Sequence, residues 1–144
     1  MSKWLLLIYK VPREPTAGRV YVWRKMKQLG AISMQDAVWV LPATRRTREQ
    51  FQWLAAEIAE LGGEATLWNS DLAYDSQAKS LVAQFTAQVD EEYGKITQGL
   101  TRKRPDLKSL VAQYQAVAAR DYFQSPLGLK VRKKLLVARG GRSS

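Results

Sequence analysis

Residues 4–69 alternate between short apolar runs and stretches in which apolar residues recur about every 3.6 positions, as they do on one face of a helix. Leu5 to Tyr9 is an unbroken apolar run that is too short for a typical helix. Pro12 and Pro15 follow it closely. These features predict a strand buried at the centre of a sheet.

A helix and two short strands are predicted next. The helix runs from Thr16 to a stop at Gly30 and has one apolar face, formed by Val22, Trp23, Met26 and Leu29. Ala31 to Gln35 and Ala37 to Leu41 then show the alternation of strands, with Asp36 as the turn residue between them.

A second amphipathic helix and a fourth strand complete this part of the chain. Thr47, with Gln50 three residues later, matches a capping box and predicts the helix start. Gly62 and Gly63 end the helix, and Ala65 to Trp68 returns to the sheet. The order βαββαβ over residues 4–69 predicts an α+β fold with a ferredoxin-like layer, in which two helices cover one face of an antiparallel sheet. The other face needs a cover, either a partner sheet in a homodimer or the rest of the chain.

Residues 75–139 predict a helical C-terminal half. The first helix begins at Asp75 or Ser76 and ends before Pro105, with an apolar stripe of Leu81 or Val82, Phe85, Val89, Ile96 and Leu100. The second, folded back antiparallel, has the stripe Leu107, Leu110, Val111, Tyr114, Val117 and Ala118. The third begins with Ser125 as N-cap and Pro126 at the first helical position, and continues to Arg139. We interpret residues 1–144 as a single domain with a helical extension.

Charge adds a class of partner to this picture. The chain has 23 Lys and Arg against 13 Asp and Glu, a net charge of +10. Basic residues outnumber acidic ones by ten to seven in residues 1–74, by five to four in 75–104 and by eight to two in 105–144. A field of this kind attracts negatively charged ligands without specifying one of them.

The residues that are missing exclude several kinds of chemistry. Without Cys or His the chain has no thiolate nucleophile, no imidazole base and no ordinary zinc or copper site. A ferredoxin-like nuclease would need an acid at the end of the first strand, where Tyr9, Lys10 and Val11 stand instead. The acidic run of Asp90, Glu91 and Glu92 is predicted to be a solvated surface. We therefore predict no enzymatic activity, no cofactor and no catalytic residue.

The location follows from the apolar runs. None reaches membrane-spanning length, and the one at the N-terminus is too short for a secretory signal. A cytoplasmic protein with no membrane partner is predicted.

Three groups of basic residues are candidate binding sites. Arg13, Arg19 and Arg24 surround the first helix, and Arg19 is placed by the helical period on its apolar face, where it needs either a carboxylate such as Glu14 or a bound anion. Arg45, Arg46 and Arg48 crowd the positive end of the second helix, which favours either a solvated loop or contact with phosphate. Lys130, Lys133 and Lys134 share one face of the last helix, as a solvated surface or a nucleic-acid contact.

Several segments, in order along the chain, carry a family resemblance. They are WLLLIYKVP, RVYVWRKMKQLGA, QDAVWVLPAT, EQFQWLAAEIAELGGEATLW and ARDYFQSPLG. Together they resemble the N-terminal domain of the ChrB family of bacterial chromate-resistance proteins, and the sheet portion also resembles the Cas2-like module of some repressors. No segment matches the family's C-terminal chromate-resistance domain or the winged helix of those repressors.

The resemblance implies a chromate-responsive transcriptional regulator of a chromate-resistance operon. DNA would then bind the arginines at 45, 46 and 48 and the lysines at 130, 133 and 134. Chromate, a doubly charged tetrahedral oxyanion, would be the effector and would bind Arg13, Arg19 and Arg24. The alternative is a non-enzymatic protein-interaction accessory module of chromate resistance. Whether the chain alone senses chromate, which helix contacts DNA, and the operator sequence stay open.

Overall fold

A computed structural model describes residues 3–140 of the chain. Four strands and five helices follow one another in the order β1 (Trp4–Lys10), α1 (Thr16–Leu29), β2 (Ile32–Gln35), β3 (Val38–Pro42), α2 (Arg45–Glu60), β4 (Glu64–Ser70), α3 (Asp75–Leu100), α4 (Leu107–Ala118) and α5 (Pro126–Gly140). The chain divides into two compact units, and the division falls between Ala78 and Lys79. We call them the sheet unit and the helical unit.

The sheet unit has the predicted ferredoxin-like topology. Its strands lie in the order β2-β3-β1-β4, and every neighbouring pair is antiparallel. One of the two central strands is β1, where Leu7 lies opposite Trp39 on one side and opposite Leu67 on the other. The turn between β2 and β3 is formed by Asp36 and Ala37, and Ala37 has a left-handed φ of 61°. The predicted α+β class, the order βαββαβ along the chain and the turn at Asp36 are therefore confirmed.

One face of the sheet forms the core of this unit. Alternate residues of a strand point to opposite faces, and the fully buried Leu5 and Leu7 share a face with Leu41, their cross-strand neighbour. The helices contribute further buried apolar residues, Val22 and Met26 from α1 and Phe51, Leu54 and Ile58 from α2. The opposite face carries the exposed Ile8 and Trp68 but also the buried Trp4 and Val40, so it is covered in part. A cover for its exposed part stays a prediction.

The start of α2 lies earlier than the sequence pattern predicts. Thr44, not Thr47, is the N-cap: its hydroxyl accepts from the Thr47 N–H at 3.0 Å, and the Thr47 hydroxyl accepts from the Thr44 N–H at 2.9 Å. The prediction with Thr47 and Gln50 was wrong because a second threonine three residues upstream closes the same reciprocal pair. Thr47 is instead fully buried and donates to the Pro42 carbonyl at 2.5 Å.

The helical unit has its own core, contributed by all three helices. Its buried residues are Val89, Tyr93, Ile96, Leu110, Val117, Val131 and Leu135. Glu92 contacts Arg120 while Gly99 lies against Leu110, so α3 and α4 run antiparallel as predicted. The N-cap of α5 is also confirmed, because the Ser125 hydroxyl accepts from the Leu127 N–H at 3.1 Å.

Candidate nucleic-acid interface

Helix α5 directs its lysines away from its packed side. The inward side consists of three buried residues, Gly128, Val131 and Leu135. Lys130, Lys133 and Lys134 are all exposed. At 3.6 residues per turn they fall within an arc of about 100° on the opposite side. The structure therefore brings these three predicted residues together on one exposed face, which we call the lysine face.

Apolar side chains accompany the lysine face. Leu129, Leu136 and Val137 are exposed although they are large and hydrophobic. An open groove of about 460 Å³ lies beside α5, and apolar atoms form most of its lining surface. The residues that line it are Thr97, Leu100, Thr101, Lys133, Lys134, Val137 and Ala138. The face thus offers both cations and apolar contact area.

The acidic residues of the helical unit are largely turned inward. Asp90 accepts a hydrogen bond from the Ser125 hydroxyl, and Glu92 pairs with Arg120. Asp121 accepts from the Tyr93 hydroxyl at 2.9 Å and from the Ser125 N–H at 3.0 Å. The prediction that Asp90 and Glu92 form a solvated surface was therefore wrong, because both have partners in the connection between α4 and α5.

This arrangement leaves the surface of the helical unit strongly positive. Within residues 79–140, eleven of the twelve Lys and Arg residues are exposed, whereas Glu91 and Asp106 are the two exposed acids among five. The remaining cation, Arg120, is the one paired with Glu92. Since ionic contacts with phosphates depend on accessible cations, this surface is suited to a polyanion.

The segment ARDYFQSPLG builds the corner that holds α5 in place. Asp121 binds Tyr93 and the backbone N–H of Ser125, and Ser125 caps α5. The rings of Tyr122 and Phe123 lie against Phe85, at centroid distances of 6.1 and 5.8 Å. Burial, followed by the hydrogen bond to Asp121, raises the pKa of Tyr93 well above its usual range.

The sequence drew attention to ARDYFQSPLG and to Ser125 as an N-cap, but not to Tyr93 as their partner. Tyr93 follows Val89 by four positions, so the helical period of α3 could have identified it as a core residue. Its bond to Asp121 joins positions 28 apart in the sequence, and no local pattern predicts such a pair.

Arg45, Arg46 and Arg48 all lie in the first turn of α2 but do not share a face. Their positions spread over about 160° around the helix axis. Arg45 and Arg46 are exposed, Arg48 is half-buried, and the Arg45 Nε lies 3.8 Å from the Glu49 carboxylate in an exposed ion pair. The three arginines therefore lie at the start of α2, as the sequence predicts, and point in different directions around its positive end.

Arg13, Arg19 and Arg24 are exposed, and Arg19 is not on the buried side of α1. That prediction was wrong, as was the placement of Trp23, which is 53% exposed. The buried stripe is Gly18, Val22 and Met26. Among the described residues no carboxylate forms an ion pair with any of the three arginines. Arg19 and Arg24 point about 140° apart around the helix.

Two further observations concern the part of the chain that the structure describes. Within residues 3–140 no three Asp, Glu, Cys or His side chains form a group that could hold a metal ion. No described helix is both long enough and apolar enough to cross a membrane.

Fold and surface together define a basic α+β protein, with a ferredoxin-like sheet unit and a helical unit of positive surface. Residues 19–113 match the family model described as Protein ChrB, N-terminal, and the chain belongs to this family. Protein ChrB of Cupriavidus metallidurans is 32% identical over 84 residues, which are 58% of this chain and 26% of that protein. The chain thus spans about a quarter of the length of the curated relative that it matches. No solved structure matches it.

Proposed function

We propose that this chain is a non-enzymatic DNA-binding module in the transcriptional regulation of chromate resistance, and that the lysine face of α5 contacts DNA phosphates. The observation that carries the proposal is the distribution of charge in the helical unit. Nearly all of its cations are exposed, while most of its carboxylates are used in contacts within the unit. The family membership supplies the biological context.

The lysine face fits backbone contact better than base recognition. Lysine is a flexible point charge, and it lacks the bidentate geometry with which arginine most often reads guanine. Contacts of this kind fix the position of a protein on DNA and carry most of its salt-dependent affinity. Arg45, Arg46 and Arg48, in the sheet unit, are a second candidate set for phosphates, favoured by their position at the positive end of α2.

Chromate binding by Arg13, Arg19 and Arg24 is the sensing half of the proposal. All three guanidinium groups are exposed and have no described ion-pair partner, so each is available to an oxyanion. Arg19 is the residue to test, because it lies in the first turns of α1, where the helix dipole also favours an anion.

A second candidate function is a protein-interaction module of chromate resistance. The observation in its favour is the presence of exposed Leu129, Leu136 and Val137 beside the lysines. Exposed aliphatic residues on a helix are typical of surfaces that contact other proteins. Under this alternative the positive charge would serve an acidic partner surface.

The experiment is a titration of the full chain onto the DNA upstream of its own gene, at 50 and 200 mM salt. Two triple variants are compared, K130A/K133A/K134A on the lysine face and R102A/K103A/R104A in the α3–α4 turn. Both remove three exposed charges from the helical unit, so they have the same net charge. Log affinity falls as log salt rises, and loss of three phosphate contacts makes this fall shallower by about 2.7, at about 0.9 per contact. We expect this loss in the α5 variant and a much smaller one in the turn variant.

The outcomes separate the two functions. Equal effects of the two triple variants would show that net charge alone matters and would refute a lysine face. No binding of the unaltered chain at 50 mM salt would favour the interaction module. Release from DNA by chromate but not by equal sulfate, lost in Arg19→Ala, would establish the sensing half. Binding that chromate leaves unchanged would remove the sensor from this chain.

A further inference from the structure

Helix α1 of the sheet unit has an exposed surface of which the proposed function uses only Arg19 and Arg24. Between Thr16 and Leu29 the helix contains no acidic residue and four basic ones. Five of its exposed residues lie on the outward side within an arc of about 140°. We call them the α1 stripe: Arg19, Val20, Trp23, Arg24 and Lys27.

The exposure of Trp23 is not explained by folding. The sheet unit buries Trp4 and Trp39 to 6% and 7% exposure, whereas Trp23 remains 53% exposed. Tryptophan is a poorer helix former than alanine, lysine or glutamine, so helix propensity does not favour it at this position either. Exposure alone does not distinguish Trp23, because Trp53 and Trp68 are 74% and 53% exposed in the same unit. The basic residues around Trp23 distinguish it.

The cations near the ring define the chemistry of that partner. The Lys27 ammonium lies 5.9 Å from the centroid of the Trp23 indole, within the range of a cation–π contact. Arg19 precedes Trp23 by four residues and Lys27 follows it by four, so both are its neighbours along the helix surface. A ligand at this ring therefore meets a flat aromatic face bracketed by positive charge.

We propose that the α1 stripe binds single-stranded nucleic acid, with a base stacked on Trp23 and with Arg19, Arg24 and Lys27 contacting the adjacent phosphates. Unpaired strands offer both a flat base and a regular negative charge, and aromatic side chains within positive surfaces are the usual means of binding them. Duplex DNA does not fit the ring, because its bases are stacked on one another. An acidic protein segment would satisfy the cations but has no base to stack.

The proposal is tested with fluorescein-labelled dT20 and rU20 by fluorescence anisotropy at 50 mM salt. Trp23→Ala is compared with Trp53→Ala, which removes a tryptophan that is 74% exposed on α2, outside the stripe. Both substitutions are made in the full chain and again in K130A/K133A/K134A, so that binding by the lysine face does not mask the effect. Circular dichroism checks that each variant keeps its helix content.

We expect Trp23→Ala to weaken single-strand binding by about 5- to 150-fold, the range for loss of one stacked base, and Trp53→Ala by less than about 2-fold. Trp23→Phe should restore much of the affinity. An effect on dT20, rU20 or both supports the site and identifies the sugar it accepts. Failure of both strands to bind, or equal effects of the two alanine substitutions, would overturn it. Poly-glutamate that binds the α1 stripe as tightly as dT20, with the same dependence on Trp23, would identify an acidic protein surface as the partner instead. Because the lysine face is removed in one series, these results are independent of the proposed duplex binding.

Discussion

Replacing Gly128 with alanine should destabilise the helical unit, although alanine is the better helix former. A Cβ at Gly128 would lie 2.8 Å from the Cε2, Cζ and hydroxyl oxygen of Tyr93. Carbon atoms in contact prefer about 3.5–4.0 Å, so the ring or the helix must move by about 0.7 Å. The ring has little freedom to move, since Tyr93 is fully buried and its hydroxyl is bound to Asp121 at 2.9 Å.

The size of the effect follows from two opposing contributions. Overpacking of this kind costs about 1–3 kcal/mol, and replacing a helical glycine with alanine returns up to about 1 kcal/mol. After the full offset, the net change at Gly128 is a loss of up to about 2 kcal/mol. Gly94, within α3, is the matched control, because a Cβ there has no other atom within 4 Å. Gly94→Ala should stabilise the protein by about 0.5–1 kcal/mol.

Urea unfolding followed by circular dichroism at 222 nm measures both variants against the unaltered chain. The two alanine substitutions should shift the unfolding midpoint in opposite directions. If Gly128→Ala were as stable as Gly94→Ala, the close packing of α5 against Tyr93 would be refuted. The lysine face would then lack the fixed support that we infer for it.

Three further predictions concern other contacts. Burial and the Asp121 bond raise the pKa of Tyr93, so the folded state holds the hydroxyl proton more tightly than the unfolded state, and the free energy of unfolding should fall as pH rises above about 10, by up to about 1.4 kcal/mol per pH unit. Tyr93→Phe should remove that part of the alkaline loss and should cost about 1–2 kcal/mol at pH 7. Urea unfolding at pH 7 to 11 measures both effects. Thr47→Val should cost about 2–3 kcal/mol, because it removes the hydroxyl that pairs with the Pro42 carbonyl and the Thr44 N–H. Thr44→Ala should cost only about 1 kcal/mol, and an equally small loss in Thr47→Val would contradict this. Light scattering should give the mass of a homodimer, and Trp68→Lys should dissociate this dimer if the exposed sheet face is its interface. A monomer mass across a wide concentration range would exclude the homodimer.

The fold could be predicted from the sequence where each signal was local. The apolar run of β1, the turn at Asp36 and the Ser125–Pro126 start of α5 each depend on residues close together in the chain, and each is confirmed. The rotation of α1 depends on a residue with no hydrophobic signal. Gly18 is buried, and a Cβ there would already contact Val11 at 3.5 Å. The apolar period counted Trp23 instead, and so placed the buried side wrongly.

The candidate site could likewise be predicted only where its residues are close together in the chain. The three lysines of α5 could be grouped from their spacing, because one helix fixes their relative directions. The inward placement of Asp90 and Glu92 could not, since their partners lie 35 and 28 positions away. The positive surface of the helical unit is consequently stronger than a count of charges along the chain indicates.

Helix α5 keeps its structural contacts and its outward residues on separate sides. Ser125, Gly128 and the buried Val131 and Leu135 attach the helix to its unit, whereas the outward lysines are all exposed. Substitutions on the outward side can therefore accumulate in evolution at little cost to folding, and relatives with the same corner can diverge in the anionic partner they bind. The same separation makes α5 a suitable place to exchange recognition residues between members of the family by design.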